Sequence, residues 1–166
     1  MTVNIHASCV MLDRAAHAFD APAEAGILLL GDSGSGKSDL VLRLIERGAR
    51  LVSDDRTELF VHREFLMARA PANLASLLEI RGLGIVGLPH AREAHISLAV
   101  RLSDGALVSR LPEAERFDPP AELGAGQHIH PPMLRLSAFE ASTPAKIVVA
   151  AAAHAKALFR DQRKAE

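Results

Sequence analysis

The sequence has no tryptophan, no tyrosine and only six phenylalanines in 166 residues. The stacked aromatic platforms that hold single-stranded nucleic acid are therefore not expected. Nor is there an excess of one charge: 19 Lys and Arg stand against 20 Asp and Glu, for a formal net charge of −1. No overall field draws in a polyanion or an anionic lipid surface. The single cysteine, Cys9, excludes an internal disulfide and lies in an apolar run, where it reads as a small buried hydrophobe. The longest apolar stretches, GILLL (26–30) and KIVVAAAAHAKALF (146–159), are too short for a span of ~20 residues across a bilayer. With no secretory leader pattern at the amino end, the expected location is cytoplasmic.

What is present is an ordinary globular composition, 49% hydrophobic and 23% charged. Residues 1–166 are expected to form one domain, with a frayed tail from about residue 160. Loose alternation over 3–12 suits a strand with His6 near its start, and 13–26 reads as a connecting loop or hairpin excursion. A short buried strand at 26–30 runs into GDSGSGKS. From Ser38 the apolar residues Leu40, Val41, Leu44 and Ile45 fall on one helical face, with Gly48 as a stop. A strand over 49–55 ends in acids, and 57–62 with 64–70 form a hairpin. In 74–89 a short extended piece is expected, followed by a loop governed by Gly82, Gly84 and Gly87. A strand over 95–102 is expected to return through the Asp104-Gly105 turn, and a Pro-containing loop covers 110–126. Residues 128–139 read as extended, with Pro131 and Pro132 at an edge or bulge. The last helix opens at Ser142 or Thr143 with Pro144 in its first turn, and packs Ile147, Val148, Ala151 and Leu158 into the core. The fold class is α/β with a mixed sheet.

The segment Gly31-Asp32-Ser33-Gly34-Ser35-Gly36-Lys37-Ser38 satisfies G-x-x-x-x-G-K-S between an expected strand and an expected helix. A chance match in this composition has odds of about one in 700. The glycines let backbone N–H groups converge on phosphate oxygens at the positive end of the helix. Lys37 supplies a mobile charge to the outer phosphates, and the Ser38 hydroxyl completes the shell of a Mg2+ ion. No N-K-x-D guanine-reading motif is present, which argues against a GTPase. Asp54 and Asp55 end the next apolar run, 18 residues beyond Lys37 in the case of Asp55, far enough for a helix and a returning strand. Adjacent residues on a strand point to opposite faces, so at most one carboxylate can face the outer phosphate while the other orients a neighbour. Glu79, in EIRGLG, is a candidate second Mg2+ ligand. His128 and His130 share a face without an acid or cysteine at ligand spacing, and read as a surface pair.

Taken together, the strand carrying His6, GDSGSGKSD (31–39), RGARLVSDDR (47–56) and LLEIRGLGI (77–85) resemble the catalytic domain of HPr kinase/phosphorylase, over about residues 3–150. The resemblance implies a P-loop kinase fold of the phosphoenolpyruvate-carboxykinase type, usually assembled as a hexamer. It implies an enzyme that uses ATP and Mg2+ to phosphorylate a regulatory serine of HPr, the phosphocarrier of the bacterial sugar phosphotransferase system. Many such enzymes also remove that phosphate by phosphorolysis, releasing pyrophosphate. By correspondence Lys37 is the P-loop lysine, Ser38 and Glu79 are Mg2+ ligands, and His6 is the histidine on the strand before the loop. Asp55 corresponds to the acid that takes the serine proton, and Arg110 to an arginine on the transferring phosphoryl. The sequence departs from the family pattern in having no amino-terminal domain, a longer 13–26 segment and Asp39 after G-K-S. The P-x-K-P-G-R-N loop associated with phosphorolysis survives only as STPAKI (142–147), in which Lys146 retains a charge. Alternative readings of the same P-loop are a kinase for a small metabolite and a non-catalytic ATP sensor.

Overall fold

Residues 1–13, 22, 24–124, 126 and 129–159 are described here from a computed structural model. Among them, nine strands form one mixed sheet, and two α-helices cover one of its faces. The expected amino-terminal strand is two strands, β1 (Thr2–Ile5) and β2 (Ala7–Leu12), broken at His6. The break has a topological cause: β1 pairs with β5 (Thr57–His62), whereas β2 pairs with β3 (Ala25–Leu30) and β4 (Arg50–Ser53). His6 therefore stands where the chain changes partners. Most of the expected 13–26 connection lies outside the described residues. Its flanks close as an antiparallel pair, Leu12 opposite Ala25, with the Glu24 N–H donating to the Leu12 carbonyl at 3.1 Å.

β3 is buried on both faces, which explains its unbroken apolar run. It lies between β2 (antiparallel) and β9 (Ala94–Leu102, parallel). β9 shares its far edge between two neighbours. Its start pairs with β6 (Phe65–Arg69), and its end pairs in parallel with β11 (Pro132–Leu136). β10 (Glu115–Arg116) lies beyond β11, inside a segment expected to be only loop. Pro132 tolerates this position because it is the first residue of its strand. β5 and β6 form the expected hairpin, turning through Arg63 and Glu64, both left-handed.

Alternation along β3 divides the core. Ile27 and Leu29 point toward α1 (Lys37–Glu46) and α2 (Thr143–Ala155), while Leu28 and Leu30 meet Cys9, Ala99 and Phe117 on the other face. A register shift at Gly26/Ile27 opposite β9 exchanges faces there, so Ile96 belongs to one cluster and Leu98 to the other. Ile27 is fully buried in the helix-side layer. Ile27→Val should cost about 1 kcal/mol in urea-induced unfolding, and a cost below about 0.3 kcal/mol would mean that this layer is not closely packed.

Four local expectations are corrected. Residues 77–87 form a hairpin, β7 (Leu77–Ile80) with β8 (Gly84–Gly87), because the glycines at 82 and 84, both with positive φ, make its turn instead of ending the strand. The chain after β9 does not return as a strand: Asp104 caps a 3-10 turn, Gly105–Leu107, by accepting from the Ala106 N–H at 3.0 Å. In α2, Ile147, Val148 and Ala151 are buried as expected, but Leu158 lies beyond the helix and is exposed. Neither hydroxyl caps α2: Ser142 makes no capping bond, and Thr143 donates instead to the Ser137 carbonyl. No described helix is long and apolar enough to cross a membrane.

Candidate active site

β4 and β3 are both antiparallel to β2, and β9 and β11 follow β3 in parallel, so four strands end on the same edge of the sheet. The loop Gly31–Gly36 leaves β3 at that edge and enters α1. Ligands of open α/β sheets collect beyond such carboxyl ends. No side chain caps α1, which leaves the N–H groups of its first turn free for an anion. Gly36 has φ +93°, and a Cβ there would lie 2.7 Å from the Ala138 Cβ, so only glycine fits. At Gly31 a Cβ would lie 2.5 Å from the Ser35 Oγ.

Lys37 is buried and curls back over its own loop. Its Nζ donates to the carbonyls of Gly31 (2.8 Å) and Asp32 (2.9 Å) and lies 3.0 Å from His6 Nε2. An ammonium has no lone pair, so Nε2 must accept, and the remaining ring proton sits on Nδ1. Nδ1 faces Asp55 Oδ1 at 3.2 Å. The result is a continuous chain, Lys37 to His6 to Asp55. Burial pulls the Lys37 pKa down, and the nearby charges of Asp55, Asp54 and Asp32 oppose that shift. Asp55 is exposed with φ 62°, a left-handed conformation that aspartate tolerates better than most residues. Its carboxylate thus faces both His6 and the open side of the loop.

Asp54 does the opposite. It is buried, accepts from Ser38 Oγ through both oxygens (2.9 and 3.0 Å), and accepts from Ser8 Oγ at 2.8 Å. The Ser8 Oγ also accepts from the Asp55 N–H at 3.2 Å. A single serine on β2 therefore sets both carboxylates, Asp54 inward toward Ser38 and Asp55 outward toward His6. Sequence reasoning missed Ser8; the available signal was one hydroxyl inside the apolar run Ala7–Leu12. Behind this pair, Thr57 donates to the Ala7 carbonyl at 2.8 Å and meets the Ser53 hydroxyl at 2.7 Å, fixing the turn that carries both acids.

The other expected site residues are not joined to this cluster. Glu79 lies on the exposed face of β7, opposite the buried Leu78, and makes no hydrogen bond or ion pair with described residues. Arg110 is exposed in the bend after the 3-10 turn, again without such a partner. His128 lies outside the described residues, and His130 is 3.5 Å from the Asp118 carboxylate. Lys146 is ion-paired to Glu140 within α2 and the turn before it, so 142–147 is a helix start instead of an open loop. Cys9 is fully buried, and burial pushes its thiol up, far from thiolate chemistry.

A glycine loop entering an uncapped helix, a lysine over that loop, and a serine paired to an acid at the neighbouring strand end define a P-loop nucleotide-binding domain. The family model described as the HPr Serine kinase C-terminal domain matches residues 21–158, and the chain belongs to that family. An HPr kinase/phosphorylase of Levilactobacillus brevis is 52% identical over 62 residues, which is 37% of this chain and 20% of that protein. One from Lacticaseibacillus casei is 50% identical over 62 residues, covering 37% and 19%. The match thus spans about a fifth of the length of these curated relatives. The fold is that of the solved Hpr(Ser) kinase/phosphatase from Coxiella burnetii, with a TM-score of 0.73, 20% identity, and coverage of 94% of this chain and 98% of that one.

Proposed function

We propose that this chain is a Mg2+- and ATP-dependent protein-serine kinase acting on an HPr-like phosphocarrier. The observation that carries the reading is the chain from Lys37 through His6 to Asp55 at the mouth of the P-loop. ATP supplies the phosphoryl group, and Mg2+ offsets the charge of its outer phosphates. The donor set suits that ion: a hydroxyl and a carboxylate are hard oxygen ligands, and Mg2+ in nucleotide sites takes few protein groups beside phosphate and water. Ser38 would hold the ion with Asp54 behind it, and Glu79 is assigned as a further ligand by correspondence with the family. The β7–β8 hairpin that carries Glu79 is separate from the main sheet and packs its buried Leu78 into the core beside α1.

Asp55 accepts the hydroxyl proton as the serine oxygen attacks the terminal phosphorus of ATP, and the bond from that phosphorus to the bridging oxygen breaks, releasing ADP. His6 orients it and couples it to Lys37. Lys37 and, by family correspondence, Arg110 stabilise charge on the transferring group. Run with inorganic phosphate as acceptor, the same groups would return phosphoserine to serine and yield pyrophosphate.

The test is intact-mass spectrometry of purified HPr after incubation with this chain, Mg2+ and ATP, followed by addition of phosphate. The expected result is one phosphoryl gained on a serine, absent with Lys37→Ala. Loss of that phosphoryl with pyrophosphate release would establish the reverse reaction. No gain in mass despite measurable ATP binding would overturn the reading in favour of another acceptor or a nucleotide sensor.

A further inference from the structure

The catalytic cluster occupies only one flank of the P-loop. In the order β4-β2-β3-β9, Asp54 and Asp55 follow β4 on one side, while the ends of β9 and β11 lie on the other. A linear triphosphate whose outer end faces Asp55 must carry its inner end, and whatever is attached to it, toward β9 and β11. A cleft of about 480 Å³ opens there, between Asp32–Ser35 of the loop, Leu102–Gly105 after β9, and Ser137 with Phe139 after β11. Its volume lies in the range of small-molecule sites.

The chemistry of the cleft is wrong for more phosphate and right for a neutral, hydrogen-bonding ligand. Asp32 and Asp104 both border it, and two carboxylates repel a polyanion. Asp104 spends one oxygen on the Ala106 N–H and is otherwise exposed, a ready acceptor for a sugar hydroxyl. Ser35 and Ser103 also border the cleft. Their hydroxyl oxygens are the buried side-chain polar atoms without a partner among the described residues. Buried hydroxyls normally find a partner, and these two mark a place where polar groups are owed one.

Phe139 is 74% exposed, although its neighbour Ala138 is buried. It is held there from several sides. Arg43 of α1 donates to the carbonyls of Ala138 and Glu140, the latter at 3.3 Å, and Phe139 N–H donates to Ser137 Oγ at 3.4 Å. Glu140 is tied in turn to Lys146. The ring edge rests against Gly36, with Cζ 3.1 Å from the position a Cβ would take. The molecule has six phenylalanines and no other aromatic type but histidine, and it pins this one, uncovered, on the P-loop.

We propose that this cleft is the nucleoside subsite and that Phe139 is the face on which the base stacks, with Asp104 accepting from the sugar. The inference rests on the P-loop reading above and adds the residues that distinguish a nucleotide from its bare phosphates. The experiment is isothermal titration of the chain, with Mg2+ present, by ATP and separately by inorganic tripolyphosphate. Wild type should bind ATP more tightly than tripolyphosphate. Phe139→Ala should weaken ATP by about tenfold, the scale of one base–aromatic stack, and leave tripolyphosphate unchanged. Phe139→Leu, which keeps apolar cover over Gly36, should resemble Phe139→Ala, and Phe139→Tyr should restore ATP binding. An unchanged ratio of ATP to tripolyphosphate affinity in Phe139→Ala would overturn the proposal, as would equal weakening of both, which would mark a packing role. If wild type binds tripolyphosphate as tightly as ATP, the subsite falls and the P-loop reading stands. If it binds neither, both fall.

Discussion

Asp55→Asn should slow phosphoryl transfer to HPr by about 10²- to 10⁴-fold, the usual worth of a positioned general base, while ATP affinity stays within about twofold. Asparagine is the informative replacement. It is isosteric, and like aspartate it accepts the left-handed backbone that residue 55 adopts, so the turn and the Asp55 N–H bond to Ser8 survive. What is lost is an anion facing His6 Nδ1 and an acceptor for the serine proton. Lys37 also loses the charge that most opposes the effect of its burial, yet Asp54 and Asp32 remain, so the lysine keeps anionic support. The readout is the initial rate of mass gain on HPr, beside ATP titration of the same preparation. Transfer within tenfold of wild type would remove Asp55 from the role of base.

The second large effect is expected at Asp54, and it has two parts. Asp54→Ala deletes the acceptor of both Ser8 and Ser38. Ser8 is fully buried, so its hydroxyl would keep only the N–H that it accepts from Asp55 and lose the partner to which it donates. An unmade buried bond of this kind costs about 1–3 kcal/mol, more when the lost partner is charged. Unfolding in urea should therefore shift by roughly 2–4 kcal/mol. The second part is functional. Ser38 would no longer be oriented, and the Mg2+ concentration needed for half-maximal transfer should rise by at least about tenfold, on the scale of losing a group behind a metal ligand. Ser8→Ala separates the parts, because it removes the buried hydroxyl and leaves the bonds from Ser38. It should recover much of the stability loss in the double variant with Asp54→Ala. Strict additivity of the two substitutions would mean that Ser8 and Asp54 are not coupled as described.

The two expected effects assign different roles to adjacent aspartates. Strand alternation alone would send them to opposite faces. Here both lie just past the end of β4, the second turns left-handed, and Ser8 bonds to the carboxylate of one and the backbone of the other. One acid is thereby built into the interior and one is delivered to the surface within a single peptide step.

Much of this was legible in the amino-acid order because it depends on local rules. The strand-loop-helix around Lys37, the hairpin of β5 and β6, and the buried central strand follow from glycine spacing, period-two and helical patterns, and an unbroken apolar run. These signals act within a few residues, so they survive without knowledge of the rest of the chain. The P-loop and the mixed α/β sheet were readable on that footing, whereas the role proposed for Asp55 came from the family resemblance. Errors arose where a partner distant in sequence decides. The strand through His6 breaks because its two halves pair with different strands. Residues 77–87 close as a hairpin because the glycines form the turn of a pair that local pattern alone did not reveal. The chain after Leu102 makes a capped 3-10 turn at an edge where β11 had already taken the pairing position beside β9. Ser8 and Phe139 were silent for the same reason. A serine in an apolar run and a phenylalanine in a turn carry no meaning until strands 46 residues apart, in the case of Ser8 and Asp54, are laid side by side. The sequence by itself determined the type of site, since phosphate binding needs a contiguous loop. Only the tertiary structure decided which groups stand on either side of that loop, because hydrogen bonds between strand ends are set by sheet order, and sheet order is a property of the whole chain.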